Sequence, residues 1–146
     1  EELAARVEVE LENYIMKRQI EYRVLLGMCK NYVLPAAIRY QNGLLANVEQ
    51  LSSVLGKQAA KFSGAQIDMI KEAGQLIQDL HAATSQMEAI HDKAESAKDA
   101  LASAKAFAEK VVPSMDAAAE ICAKLESLVD DAEWPLPKFS ELLFTR

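Results

Sequence analysis

The chain has 146 residues, 51% of them hydrophobic and 26% charged, with a formal net charge of −6. That length fits one domain with its own core, and the balance excludes both a disordered segment and a membrane-embedded one. An acidic chain without a basic run argues against nucleic acid and anionic membranes as partners, and its apolar runs fall far short of the roughly 20 residues that span a bilayer.

The first residues, Glu1-Glu2, are neither an initiator Met nor the start of a secretory leader. The expectation is a processed protein or, more simply, a piece excised from a longer one. The first long stretch reads as one helix over about residues 2–55. From Leu3 to Val33 apolar residues recur at steps of three and four: Leu3, Val7, Leu11, Tyr14 or Ile15, Tyr22, Leu25 or Leu26, Cys29 and Val33. That is the period of one helical face. Arg18 and Gln19 interrupt it. A partly exposed turn whose Arg stem packs while its head stays wet accounts for them; a contact to another domain or subunit is the sharper alternative. Pro35 has no N–H and crowds the preceding turn, so a kink is expected near 34–35. The period resumes through Leu34, Ile38, Gln41, Leu45, Val48, Leu51 and Leu55, and Gly56 supplies a stop.

After a connector from Lys57 to Phe62, Ser63 and Gln66 have the spacing of a capping box. A second helix, about 64–94, carries the seam Ile70, Ala73, Ile77, Leu80, Thr84, Met87, His91 and Ala94. Its alternating steps of three and four are those of left-handed helix packing. A break is expected near 92–96, with Ser96 and Asp99 starting a new helix, since an unbroken one would run on the order of 100 Å. The third helix, about 97–130, places Ala97, Leu101, Ala104, Ala108, Val111, Met115, Ala118, Cys122, Leu125 and Val129 on one face. Pro113 falls on the outer face, where a mild kink is expected, with the Glu109 carbonyl left to water.

The texture then changes to a tail, 131–146, containing Trp134-Pro135-Leu136-Pro137 and then Phe139, Leu142, Leu143 and Phe144. Prolines at alternate positions enforce an extended path. A segment so apolar docks in a groove, on these helices or on another domain, with one short helical turn over Ser140 to Phe144. The expected architecture is all-α: an elongated antiparallel three-helix bundle, its first helix kinked at Pro35, with an extended aromatic and proline-rich C-terminal tail.

Catalytic constellations are missing from the sequence. The five glycines are scattered, and no phosphate loop or nucleophile elbow appears. Glu88 and His91 have the Glu-x-x-His spacing of helical di-iron sites, but His81 has Gln78 at that offset, so the required second copy is absent. His91 reads as a seam residue near the end of the bundle, partly hydrated. Glu8, Glu10 and Glu12, and Asp92, Glu95 and Asp99, read as solvated faces. Tyr14, Tyr22, Tyr32 and Tyr40 read as core or interface anchors with hydroxyls at the rim. Cys29 and Cys122 read as reduced, buried, small, apolar residues of an intracellular, cytoplasmic protein; a disulfide between them is geometrically open and nothing in the sequence supports it. No catalytic, cofactor or metal residue is assigned. The candidate docking and structural residues are Pro35, Tyr40, Pro113, Trp134, Pro135, Pro137, Phe139, Leu142, Leu143 and Phe144.

Three segments together point to a family: Leu34-Pro35-Ala36-Ala37-Ile38-Arg39-Tyr40-Gln41; Lys110-Val111-Val112-Pro113-Ser114-Met115; and Leu125-Glu126-Ser127-Leu128-Val129-Asp130-Asp131 running into Trp134-Pro135-Leu136-Pro137 and Glu141-Leu142-Leu143-Phe144. In this order they resemble the C-terminal helical region of type III glutamine synthetases. The resemblance implies a parent enzyme that joins ammonia to glutamate with ATP and Mg or Mn, in a large ring-based homo-oligomer. It implies an upstream catalytic domain and neighbouring subunits as partners, with no cofactor held by this segment. The expected role is a non-catalytic structural or assembly domain. The alternative is a free-standing helical adaptor that binds a partner helix along its seam; a small di-metal oxidoreductase lacks the ligands.

Overall fold

Two prolines shape the long helices. The computed structural model describes residues 2–138, all-helical as expected, with no strand among the described residues. The first rod runs α1 (Glu2–Met28), a π turn (Cys29–Val33) and α2 (Leu34–Leu55). The third runs α4 (Ala100–Ala106), a second π turn (Phe107–Val111) and α5 (Val112–Leu128). In each, the residue before the proline donates its N–H to the carbonyl five positions back: Leu34 to Cys29, Val112 to Phe107. The wide turn makes room where the proline ring would strike the carbonyl four residues earlier, and the helix continues. At Pro35 and Pro113, where kinks are expected, the chain forms π turns.

Between the first two rods, Gly56 adopts φ +54° and donates its N–H to the Ser52 carbonyl. Glycine takes that conformation without the steric penalty of a side chain. A 3-10 turn (Gly56–Lys61) then leads to α3 (Gly64–Glu95). The capping box expected at Ser63 and Gln66 does not form. Ser63 is buried at φ −102°, ψ 0°, and its side chain makes no cap hydrogen bond. The next cap does form: extended Asp99 accepts the Ala102 N–H at 2.8 Å, so the third rod restarts at Asp99 and not at Ser96.

Cross-rod contacts give the directions. Gln19 reaches Glu95, Lys30 reaches Glu88, and Gln41 donates to the Ile70 carbonyl at 3.1 Å. Partner numbers fall as the first rod advances, so α3 runs against it. Cys29 meets Cys122 and Arg39 meets Glu133; these numbers rise together, so the first and third rods run the same way. Gly74 fits this packing, because a Cβ there would come within 3.0 Å of the Gln41 amide nitrogen.

The core follows the α3 seam closely. Ala73, Leu80, Thr84, Met87, His91 and Ala94 are buried, and Ile70 and Ile77 are half-buried. On the third rod the seam shifts at the π turn. Leu101 and Ala108, expected inside, are exposed, and Phe107 is fully buried in their place. No described helix is long and apolar enough to cross a membrane.

Candidate functional site

α1 has two apolar faces. Tyr14, Ile15, Leu25 and Leu26 are half-buried and Tyr22 is buried, against the core. On the opposite side of the helix, Val9, Met16, Ile20 and Val24 recur at steps of seven, four and four, and each is more than half exposed. At 100° per residue these four share one stripe, roughly 20 Å long. Near its start, Leu3, Val7 and Leu11 line an open groove of about 550 Å³ with Leu101 of α4. Arg18, which breaks the inner seam, bonds Glu21 at 2.6 Å and lies over the Tyr14 ring at 5.2 Å. Its guanidinium is held charged, first by that Glu21 bond.

The candidate docking residues fall in different places. Pro35 opens α2, half-buried; Pro113 opens α5, exposed. After Val129 the chain turns back on Asp130, whose side chain accepts the Ala132 N–H and whose carbonyl accepts the N–H groups of Glu133 and Trp134. That turn drives Trp134 into the core at 8% exposure, while Arg39 holds Glu133 at 3.0 Å. Tyr40 lies near the same turn, half-buried; burial pushes its phenol up, with Asp130 and Glu72 adding to the effect. Pro135 and Pro137 are exposed, and Pro137 edges an apolar groove of about 380 Å³ formed with Leu25, Met28, Ala119, Cys122 and Trp134. Lys138 pairs with Asp131. Phe139, Leu142, Leu143 and Phe144, and the helical turn expected over Ser140 to Phe144, lie outside the described residues.

Polar groups gather at the other end of α3. His91 is not partly hydrated, as its position near the helix end suggested. It is 5% exposed, stacked on Tyr22 at 3.9 Å and edge-on to Phe107 at 5.6 Å. Two aromatic side chains cover the ring there, one of them brought in by the π turn. Ligand atoms of His91, Asp92 and Glu95 lie within 4.8 Å of one another. Asp92 and Glu95 are exposed, and Gln19 occupies a Glu95 oxygen at 3.1 Å. Glu88, the other half of the Glu-x-x-His spacing, pairs instead with Lys30 at 2.6 Å. Nothing in this cluster combines a nucleophile with a base and a substrate-sized cleft.

Sequence reasoning missed two features here. The outer stripe of α1 was visible in the spacing of Val9, Met16, Ile20 and Val24, but a search for one seam passes over a second. The meeting of Cys29 and Cys122, with sulfurs 3.6 Å apart, depends on the register between two rods, and no local pattern encodes it.

The comparisons with known proteins agree on one family. A family model described as "Glutamine synthetase C-terminal domain" matches residues 1–52, which corresponds to most of the first rod. Across 99% of its length the chain is 36% identical to a glutamine synthetase of Bacteroides fragilis and 27% identical to a type-3 glutamine synthetase of Dictyostelium discoideum. A glutamine synthetase of Butyrivibrio fibrisolvens is 23% identical over 145 residues. The chain spans 20% of the length of each of these curated relatives. The resemblance to the C-terminal helical region of type III glutamine synthetases is thereby borne out.

Proposed function

We propose that the chain is the non-catalytic C-terminal structural and assembly domain of a type III glutamine synthetase. In this reading the three rods form an elongated antiparallel three-helix bundle, its first helix bent at Pro35. Its partners are the upstream catalytic domain of the same polypeptide and neighbouring subunits of a cytoplasmic homo-oligomer. The parent's reaction, joining ammonia to glutamate with ATP and Mg or Mn, belongs to residues outside this segment, which contributes no cofactor ligand.

The observation that carries the reading is the outer stripe of α1. Large apolar side chains in a row cost free energy in water and are characteristic of covered surfaces. The family match over residues 1–52 falls on the same rod. The tail is a second contact in this reading: Trp134 seats it in this domain's own core, and Pro135 and Pro137, with Phe139, Leu142, Leu143 and Phe144 beyond them, clamp this domain to its neighbours. A free-standing adaptor is not favoured, because the matches run end to end inside much longer proteins.

The test is the double substitution Met16→Glu/Ile20→Glu in the parent enzyme. Both side chains face outward, so helical circular dichroism is expected to be unchanged, while light scattering shows the oligomer falling to smaller species. Intact assembly in a variant that folds normally would overturn the reading.

A further inference from the structure

Cys29 and Cys122 support an inference that does not depend on the assembly reading. They stand 93 positions apart in the chain, one on each of the parallel rods, yet their sulfurs lie 3.6 Å from each other. Cys29 is fully buried and is the first residue of the first π turn. Cys122 is half-buried and lines the apolar groove beside Trp134. One thiol is therefore shielded and the other faces an opening, at a separation that one hydrogen bond spans.

We propose that Cys29 and Cys122 form a redox site, oxidised by hydrogen peroxide entering through the groove to a disulfide that joins the first rod to the third. The sulfurs need to close from 3.6 Å to about 2.0 Å for the bond to form. In the reduced pair one S–H donates to the other sulfur. Either sulfur can be the donor in that contact, so loss of the one proton can leave the charge on Cys122, the sulfur that faces the groove.

The chemistry balances in two steps. The Cys122 thiolate attacks one peroxide oxygen; an S–O bond forms, the O–O bond breaks, and the released hydroxide takes up a proton to leave as water. The Cys29 sulfur then attacks the Cys122 sulfenic acid; the S–S bond forms, the S–O bond breaks, and the oxygen leaves as a second water with the Cys29 proton. Two thiols and one peroxide give one disulfide and two waters. The sulfurs are oxidised and the peroxide reduced. The product closes a long loop and pins the first π turn to α5, so the oxidised protein melts higher, by on the order of 10 °C.

The experiment titrates the purified native protein with hydrogen peroxide and maps its tryptic peptides. About one equivalent is expected to remove both thiols and join peptide 24–30 to peptide 111–124, with dithiothreitol separating them again. Cys29→Ser, or Cys29→Ala if serine unsettles the buried seat, is expected to stop at a dimedone-reactive sulfenic acid on Cys122. Cys122→Ser is expected to leave Cys29 a thiol. Only the unsubstituted protein gains melting temperature on oxidation. Three results would each overturn the proposal: both thiols surviving excess peroxide until the protein is unfolded, Cys122 oxidising further with no cross-link, or either cysteine pairing elsewhere.

Discussion

α1 and α3 meet where Tyr22 stacks on His91, yet their surfaces follow opposite plans. α3, 32 residues long, gathers most of its apolar side chains on one seam, with Ile67 of its first turn outside it, and its outward positions include Asp68, Lys71, Glu72, Gln75, Gln78 and Asp79. α1, 27 residues long, packs one face inward and still turns Val9, Met16, Ile20 and Val24 to the outside. A helix with one apolar side is complete once that side is buried. A helix with two is complete only when something covers the second. The difference separates residues that hold this chain together from residues that hold it to something else.

The largest effect that tests this contrast is a pair of truncations. Leu80→Ala, at a fully buried point of the α3 seam, is expected to cost about 2–5 kcal/mol in urea unfolding. Ile20→Ala, on the outer stripe, is expected to stay within about 0.5 kcal/mol. Equal costs would erase the distinction between the helices.

A smaller effect concerns the point where they touch. Burial pushes the Tyr22 phenol above its usual 10.0, with Glu88, Asp92 and Glu95 adding to the shift. The folded protein therefore keeps this proton at a pH where the unfolded chain has lost it. Stability is full below pH 10.0 and declines as the pH rises above it. Tyr22→Phe is expected to flatten that decline in urea titrations at alkaline pH. Part of it remains, since Tyr40 is shifted the same way. An unchanged slope would mean that Tyr22 is not buried against α3.

The smallest effect is expected at Lys30 and Glu88, the ion pair that bridges the two rods. Both side chains are more than a third exposed, so solvent screens them. Glu88→Gln is expected to change stability by less than about 0.5 kcal/mol. A larger cost would show that the rods are held by charge as well as by the seam.

How much of this was legible depended on where the helix changes pitch. The α3 seam could be read residue by residue because no proline disturbs it from Ile70 to Ala94. On the third rod, the step from Ala104 to Val111 can pass through Phe107 or Ala108 with the same three-and-four spacing. Only the wide turn ahead of Pro113 selects Phe107. His91 was placed on the correct face, but its covering rings come from two other rods. Trp134 reads from the sequence as a docking residue, for a groove on these helices or on another domain; its seat is set by the Asp130 turn and the Arg39 contact with Glu133. Local periodicity carries a helix and its inward face. Register between rods is a property of the assembled packing, and the cysteine pair belongs to that level.

The two π turns have a mechanical consequence. A widened turn is where a helical rod bends most readily, and two at one level would form a crease. Cys29, in the first, lies opposite Cys122, whereas the second begins at Phe107. At 1.5 Å per residue they are offset by roughly 20 Å along the rods. Each soft point is splinted by regular α-helix in the other rod and by α3, which has no such turn. A bend at either turn would have to carry with it the two unbroken helices beside it.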